Sequence, residues 1–207
     1  IESAQKKVEQ RNFGIRKHLL EYDDVMNQQR KVVYDIRNQA LNEDDITEAI
    51  NEMVSDYIDE ELEINESSNL EEWDWDRLKQ NFSSHLLVDL NTEKILHPSN
   101  SEALSIDNIK SLVIEEASAV YKNRESLLGE KLIRGFEKFV VLRTIDEKWK
   151  DHLYAMDQLR EGINLRAYGQ KNPLLEYKSE GFKMFQEMMG DMSAITIQRL
   201  FRTQLQG

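Results

Sequence analysis

Apolar residues recur in steps of three and four along most of this chain, and those steps predict helices rather than strands. Over the first 41 residues, Val8, Asn12, Ile15, Leu19, Tyr22, Met26, Gln29, Val33, Ile36 and Ala40 form one heptad-like seam, with Asn12 and Gln29 as polar interruptions. One helix over this stretch spans about 60 Å. That exceeds what a single small core covers, so the helix reads as a spine packing on several elements in turn. Val25 and Val32 lie off the seam and predict a second packing partner. Gly14 weakens the helix by about 1 kcal/mol relative to Ala without breaking it.

Asn42 to Asp45 supply capping side chains for a second helix, whose buried stripe reads Ile46, Ile50, Met53, Tyr57 and Ile58. The polar stretch Asn65–Asn69 predicts a loop. Trp73 and Trp75 bracket Asp74 as core anchors, and Leu78, Phe82, Leu86 and Leu87 continue as a helix. Asn91 to Ile106 is loop-rich and contains Pro98. Asp107 then caps a helix with Ile109, Leu112, Val113, Glu116, Val120 and Leu127 along its stripe, and Gly129 or Gly135 marks a bend.

The strongest pattern lies between residues 142 and 195. Leu142, Ile145, Trp149, Leu153, Met156, Leu159 and Ile163 share one helical face; Leu174, Tyr177, Met184, Phe185, Met188, Met192 and Ile195 share another. Between them stands Leu165-Arg-Ala-Tyr168-Gly-Gln-Lys-Asn-Pro173. Two apolar faces joined by a short loop with Gly169 and Pro173 pack antiparallel, which makes the loop a projecting tip. Tyr168 is amphipathic, able to stack on a peptide plane while its hydroxyl bonds any backbone, and Arg166 and Lys171 add positive charge. Periodicity alone favours an ordinary loop with Tyr168 folded back on its own helices.

Composition sharpens the picture. The 207 residues contain only 8 Gly and 2 Pro, which favours long helices. Without cysteine there are no disulfides or thiolate metal sites. No apolar run approaches the roughly 20 residues of a membrane span, and the opening residues lack the layout of a signal peptide. Ile1 already sits inside a helical pattern, so the chain reads as a fragment of a longer one. The net charge of −12 is uneven: residues 1–42 carry +2, residues 43–125 carry −16 and residues 126–207 carry +2. The middle segment therefore reads as an inserted acidic module. Its surface is either plainly solvated or a face for a basic partner, and it repels nucleic-acid phosphates.

Candidate chemistry is sparse. No glycine is followed by Lys and no Gly-x-Gly pair occurs, so phosphate-loop and dinucleotide motifs are missing. The positions three before His18, His85, His97 and His152 hold Ile15, Phe82, Lys94 and Trp149, so the Glu-x-x-His spacing of di-iron bundles fails. No two histidines are four apart, and each reads as structural or surface. No catalytic residue, metal ligand or cofactor emerges. Asp23 and Asp24 are candidates for contact with a domain docked on the spine.

Several of these stretches carry a resemblance. Ala4-Gln-Lys-Lys-Val-Glu-Gln-Arg-Asn-Phe13 and Arg16-Lys-His-Leu-Leu-Glu-Tyr-Asp-Asp-Val25 resemble the long scaffold helix of the SecA family of ATP-driven bacterial protein translocase motors. Leu142-Arg-Thr-Ile-Asp-Glu-Lys-Trp149, Asp151-His-Leu-Tyr-Ala-Met-Asp157, Leu159-Arg-Glu-Gly-Ile163 and Leu165-Arg-Ala-Tyr-Gly-Gln-Lys171 resemble its two-helix finger. Glu176-Tyr-Lys and Phe182-Lys-Met-Phe185 resemble the return helix. The acidic middle is similar mainly in position, in Trp75-Asp76 and in its last helix, and corresponds to the helical wing domain.

The resemblance implies an all-α fold: a long scaffold helix (1–42), an inserted helical wing (43–125), and a return segment (126–207). The return segment carries an antiparallel finger at about 135–195, with its tip at about 165–173, packing back on the scaffold. It implies that Leu165, Arg166, Ala167, Tyr168 and Gly169 meet the translocating polypeptide and the SecYEG channel. It also implies that Arg16, Asp23 and Asp24 meet the motor domains, that ATP and Mg belong to motor domains outside this chain, and that this chain binds neither ATP nor zinc. Expected partners are unfolded preprotein, SecYEG, the motor domains, acidic membrane lipids and a second copy. The expected place is the bacterial cytoplasm and the cytoplasmic face of the plasma membrane. Two other roles remain open: a regulatory brake on the motor ATPase, and a coiled-coil adaptor dimerising through residues 8–40.

Overall fold

The computed structural model describes residues 2–64, 69–96, 105–166 and 172–204. Among them the architecture is all-helical: α1 (Glu2–Asn42), α2 (Thr47–Glu63), a 3₁₀ turn (Leu70–Glu72), α3 (Trp75–Leu86), α4 (Thr92–Leu96), α5 (Ile106–Leu128), α6 (Glu130–Arg166) and α7 (Pro173–Arg202). The expected continuous first helix is present. The chain divides into two compact units, Ile1–Gln39 with Ile145–Met189, and Ala40–Thr144 with Gly190–Gly207.

In the second unit, short polar side chains stand at the starts of α2, α3 and α5. Asp45 Oδ1 accepts from the Thr47 N–H at 2.9 Å and from the Thr47 hydroxyl at 2.5 Å, and these bonds hold the Asp45 carboxyl below its usual range. Asp74 Oδ1 accepts from Arg77 N at 3.0 Å, which starts α3. At α5 the cap is Ser105, whose Oγ accepts from Asn108 N at 3.3 Å; Asp107, the expected cap, lies in the first turn, where its charge suits the helix dipole.

The core of this unit gathers Ile58, Leu78, Phe82, Leu86, Val88, Ile109 and Val113, all nearly fully buried. Trp73 and Trp75 stack with ring centroids 5.4 Å apart, and Trp75 Nε1 donates to Leu70 O at 2.8 Å. The α2 stripe uses Val54 and Leu62, with Met53 only half-buried. Leu87 does not continue α3. It caps it in a left-handed conformation (φ 57°) and is 45% exposed. Leu127, placed on the α5 stripe by periodicity, is 78% exposed; the buried stripe ends at Ala117, and Gly129, at φ +84°, breaks the path into α6. Gly135 lies inside α6.

Among the described residues, buried charge is confined to one knot. Glu137 is fully buried and accepts from the Tyr121 hydroxyl at 2.8 Å and from Arg134 Nη1 at 2.6 Å. Arg134 also pairs with Glu125, and with Asp45 at 3.7 Å. Burial beside Glu137 pushes the Tyr121 hydroxyl well above its usual range. Lys138 donates to Leu41 O at 3.1 Å and Glu43 O at 2.7 Å, satisfying carbonyls at the end of α1.

These burials separate two apolar positions that periodicity treats alike, Phe82 and Leu127. Phe82→Ala should lower unfolding free energy by about 3–5 kcal/mol, whereas Leu127→Ala should change it by less than about 0.5 kcal/mol. Urea denaturation followed by circular dichroism measures both.

Candidate functional site

The first unit holds the expected hairpin. Contacts between α6 and α7 run in opposite order along the two helices. Ile163 clusters with Tyr177 and Leu174, a Cβ built on Gly181 meets Met156 and Leu159, and the His152 ring lies 5.7 Å from that of Phe185. The arms are therefore antiparallel. Gly181 sits at a close approach of the arms: an added Cβ would stand 2.7 Å from Met156 Cε.

The hairpin packs on α1. Tyr22, Met156, Leu159, Ile163 and Tyr177 form one core, flanked by Val25, Met26, Leu174 and Met184. The Tyr22 and Tyr177 rings lie 4.8 Å apart. Arg160 stacks over Tyr22 at 5.6 Å and pairs with Asp23 at 3.3 Å. Burial raises the Tyr177 hydroxyl above its ordinary value. Further along α1, Arg37 and Asp146 pair at 2.8 Å.

At the centre of the seam is a polar lock. Gln29, one of the two expected interruptions, is 7% exposed; His152 is 4% exposed. Gln29 Nε2 donates to the Gly181 carbonyl at 3.0 Å, and Gln29 Oε1 lies 2.9 Å from His152 Nε2. A carbonyl only accepts, so the amide must present its NH₂ to Gly181 and its oxygen to His152. His152 must then carry its proton on Nε2. One side chain thus ties α1 to both hairpin arms. Trp149 and Phe185 cover the His152 ring, and burial holds its pKa below the ordinary 6.5.

Upstream of Tyr22 the seam is open. Phe13, Leu19 and Leu20 are 66%, 47% and 61% exposed. Arg16 and Asp24 are exposed on the same helix, and Arg16 Nε bonds back to Asn12 O at 3.4 Å. Asp23, taken with them as a contact for a docked domain, has its partner within this unit. Val32, expected to meet a second partner, is 45% exposed beside a groove it shares with Asp24, Val25, Gln28, Lys178 and Phe182.

At the far end, Leu165 and Arg166 complete the last turn of α6. Ala167, Tyr168 and Gly169 lie outside the described residues, as does Lys171. The chain re-enters at Asn172, whose Oδ1 accepts from Leu174 N at 3.0 Å and whose carbonyl accepts from Leu175 N at 3.1 Å. Pro173 occupies the first helical position of α7, where its missing N–H costs nothing. Sequence reasoning named Pro173 as a turn residue and missed the Asn172 cap beside it. It also missed Gly181, although a glycine inside a strong helical pattern is itself a signal of close approach.

Fold and hairpin together define a helical scaffold module that bears a two-helix projection locked to its longest helix. The chain belongs to the SecA Wing and Scaffold domain family, whose model matches residues 1–204. It is 42% identical over 207 residues to the protein translocase subunit SecA of Syntrophomonas wolfei, covering 99% of this chain and 24% of that relative. It is 43% identical over 204 residues to that of Pelotomaculum thermopropionicum, covering 98% and 23%. The chain thus spans about a quarter of the length of the curated relatives it matches. Among the described residues, no helix is long and apolar enough to cross a membrane.

The polar lock makes a double-mutant test. Gln29→Leu and His152→Phe should each destabilise the chain by about 1–3 kcal/mol, because each strands a buried partner. The double variant should cost less than their sum. The His152 pKa is depressed by folding, so its neutral form carries full stability above pH 6.5 and stability should decline as pH falls below that value. His152→Phe should remove that part of the decline in urea titrations across pH 7 to about 5.

Proposed function

We propose that this chain is the scaffold, wing and finger part of a SecA-type preprotein translocase, and that its role is mechanical. The observation that carries the reading is the lock of both hairpin arms onto α1 through Gln29 and the Tyr22 core. A hairpin so tied moves with its spine. ATP-driven shape changes in motor domains outside this chain reach the hairpin through α1, and the tip at Leu165, Arg166, Ala167, Tyr168 and Gly169 presses unfolded preprotein into the SecYEG channel. ATP and Mg belong to those motor domains; the chain itself holds no cofactor and catalyses no bond change.

Supporting the motor side, Phe13, Leu19 and Leu20 form an exposed apolar row on α1, beside Arg16 and Asp24. Apolar rows rimmed by charge mark docking faces. In this reading, residues 1–42 are scaffold, residues 43–125 are wing and residues 126–207 are the return segment with the finger. The assembly works at the cytoplasmic face of the plasma membrane, where acidic lipids and a second copy are further partners.

Tyr168 is the decisive position. In the full-length translocase, Tyr168→Ala should reduce preprotein transport into inverted membrane vesicles at least about tenfold, the scale of one lost aromatic anchor. Its thermal unfolding midpoint should stay unchanged, since a loop tip adds little core. Transport at the wild-type rate would refute the grip.

A further inference from the structure

A second feature lies in the other unit, beside the end of α7. A pocket of about 660 Å³ is lined by Leu87, Val120, Leu127, Phe201, Arg124 and Arg202. Its apolar wall is open, with Leu87 and Leu127 at 45% and 78% exposure. Leu87 is also the one non-glycine among the described residues with left-handed backbone, a conformation L side chains rarely adopt.

The arginines set the chemistry. In the same unit Arg77 pairs with Glu61 at 3.2 Å and Arg134 with Glu125 and Glu137. Among the described residues, Arg124 and Arg202 have no carboxylate partner. Arg124 donates to the carbonyls of Phe201, at 2.8 Å, and Thr203, and its Nε is buried without an acceptor. Arg202 gives a single bond, Nη1 to Ser84 O at 3.2 Å, and is otherwise exposed. Its planar fork therefore keeps donors for a bidentate acceptor. A wholly apolar occupant would desolvate the exposed Arg202 guanidinium without a counter-charge, at a steep cost. Asn123, Thr203 and Gln204 on the rim supply amide and hydroxyl partners that suit a peptide main chain and are wasted on an acyl chain.

We propose that this pocket binds an extended acidic peptide: a carboxylate side chain meets the Arg202 fork, and a neighbouring apolar residue covers Leu87 and Leu127. The complementarity is local. Arg202 stands beside residues 43–125, whose net −16 already includes Arg124 and whose wider field is screened beyond about 8 Å at physiological salt.

The test uses the 207-residue chain and a fluorescein-labelled peptide, Gly-Glu-Leu-Leu-Glu-Gly, followed by fluorescence anisotropy. Saturable binding is expected. Arg202→Gln should weaken it about tenfold, and Arg202→Lys should weaken it less, keeping charge without the fork. Leu127→Ser, at an exposed position outside the core, should also weaken it and serves if Arg202 variants lose helical circular dichroism. A probe with Gln for both Glu should bind as weakly to the wild type as the original does to Arg202→Gln. Failure of the probe to saturate, or equal affinity for wild type, Arg202→Gln and Leu127→Ser, overturns the proposal. So does displacement of the probe by phosphatidylglycerol vesicles through Arg202, which would make this a lipid site. Self-association in sedimentation that vanishes in Arg202→Gln would make it an interface between copies and equally overturn it.

Discussion

A buried primary amide must satisfy a donor and an acceptor at once, and the hairpin's attachment follows from that requirement at Gln29. Within an otherwise apolar seam its two halves find different helices, the Gly181 carbonyl on α7 and the His152 ring on α6. Apolar packing alone tolerates sliding, because one methyl resembles another. A polar pair does not: a shift of one residue strands the buried Gln29 amide and the His152 ring nitrogen. The surrounding contacts, Tyr22 on Tyr177 and Arg160 on Tyr22, supply area, while the amide supplies register.

The acidic unit solves a different problem. It assembles short helices whose starts are defined by Asp45, Asp74 and Ser105. It confines buried charge to the knot around Glu137, where Tyr121 and Arg134 meet its oxygens. Isolated buried carboxylates are costly and paired, hydrogen-bonded ones are tolerable. The excess acid elsewhere stays exposed, as with Glu48, Glu52, Glu71 and Glu72.

Helix existence was legible because a three-to-four period extends over many turns, and the hairpin was legible because two such periods flank one loop. What periodicity cannot tell is whether a partner is present. Tyr22 and Leu19 share the α1 seam, yet one is buried and the other open. Nor does it see contacts across the chain: Gln29 looked like a flaw because its partners lie 123 and 152 residues away. Local rivalry explains the remaining misses. Ser105 precedes Asp107 and takes the cap, and the buried stripe of α5 ends at Ala117, so Leu127, in the last turn ahead of the Gly129 cap, stays exposed. Of the tip, the flanks are visible at Arg166 and Asn172, while Tyr168 rests on resemblance.

Gly181 lets the two arms of the hairpin close on each other at Met156. The contact with Met156 lies about eight residues, or roughly 12 Å of helix, below the start of α7. A small splay at that crossing grows with distance along the arms, so the last turn of α6 and the first turn of α7 part further than the crossing does. With a hydrogen in place of a side chain, that crossing fixes how closely α6 and α7 can run.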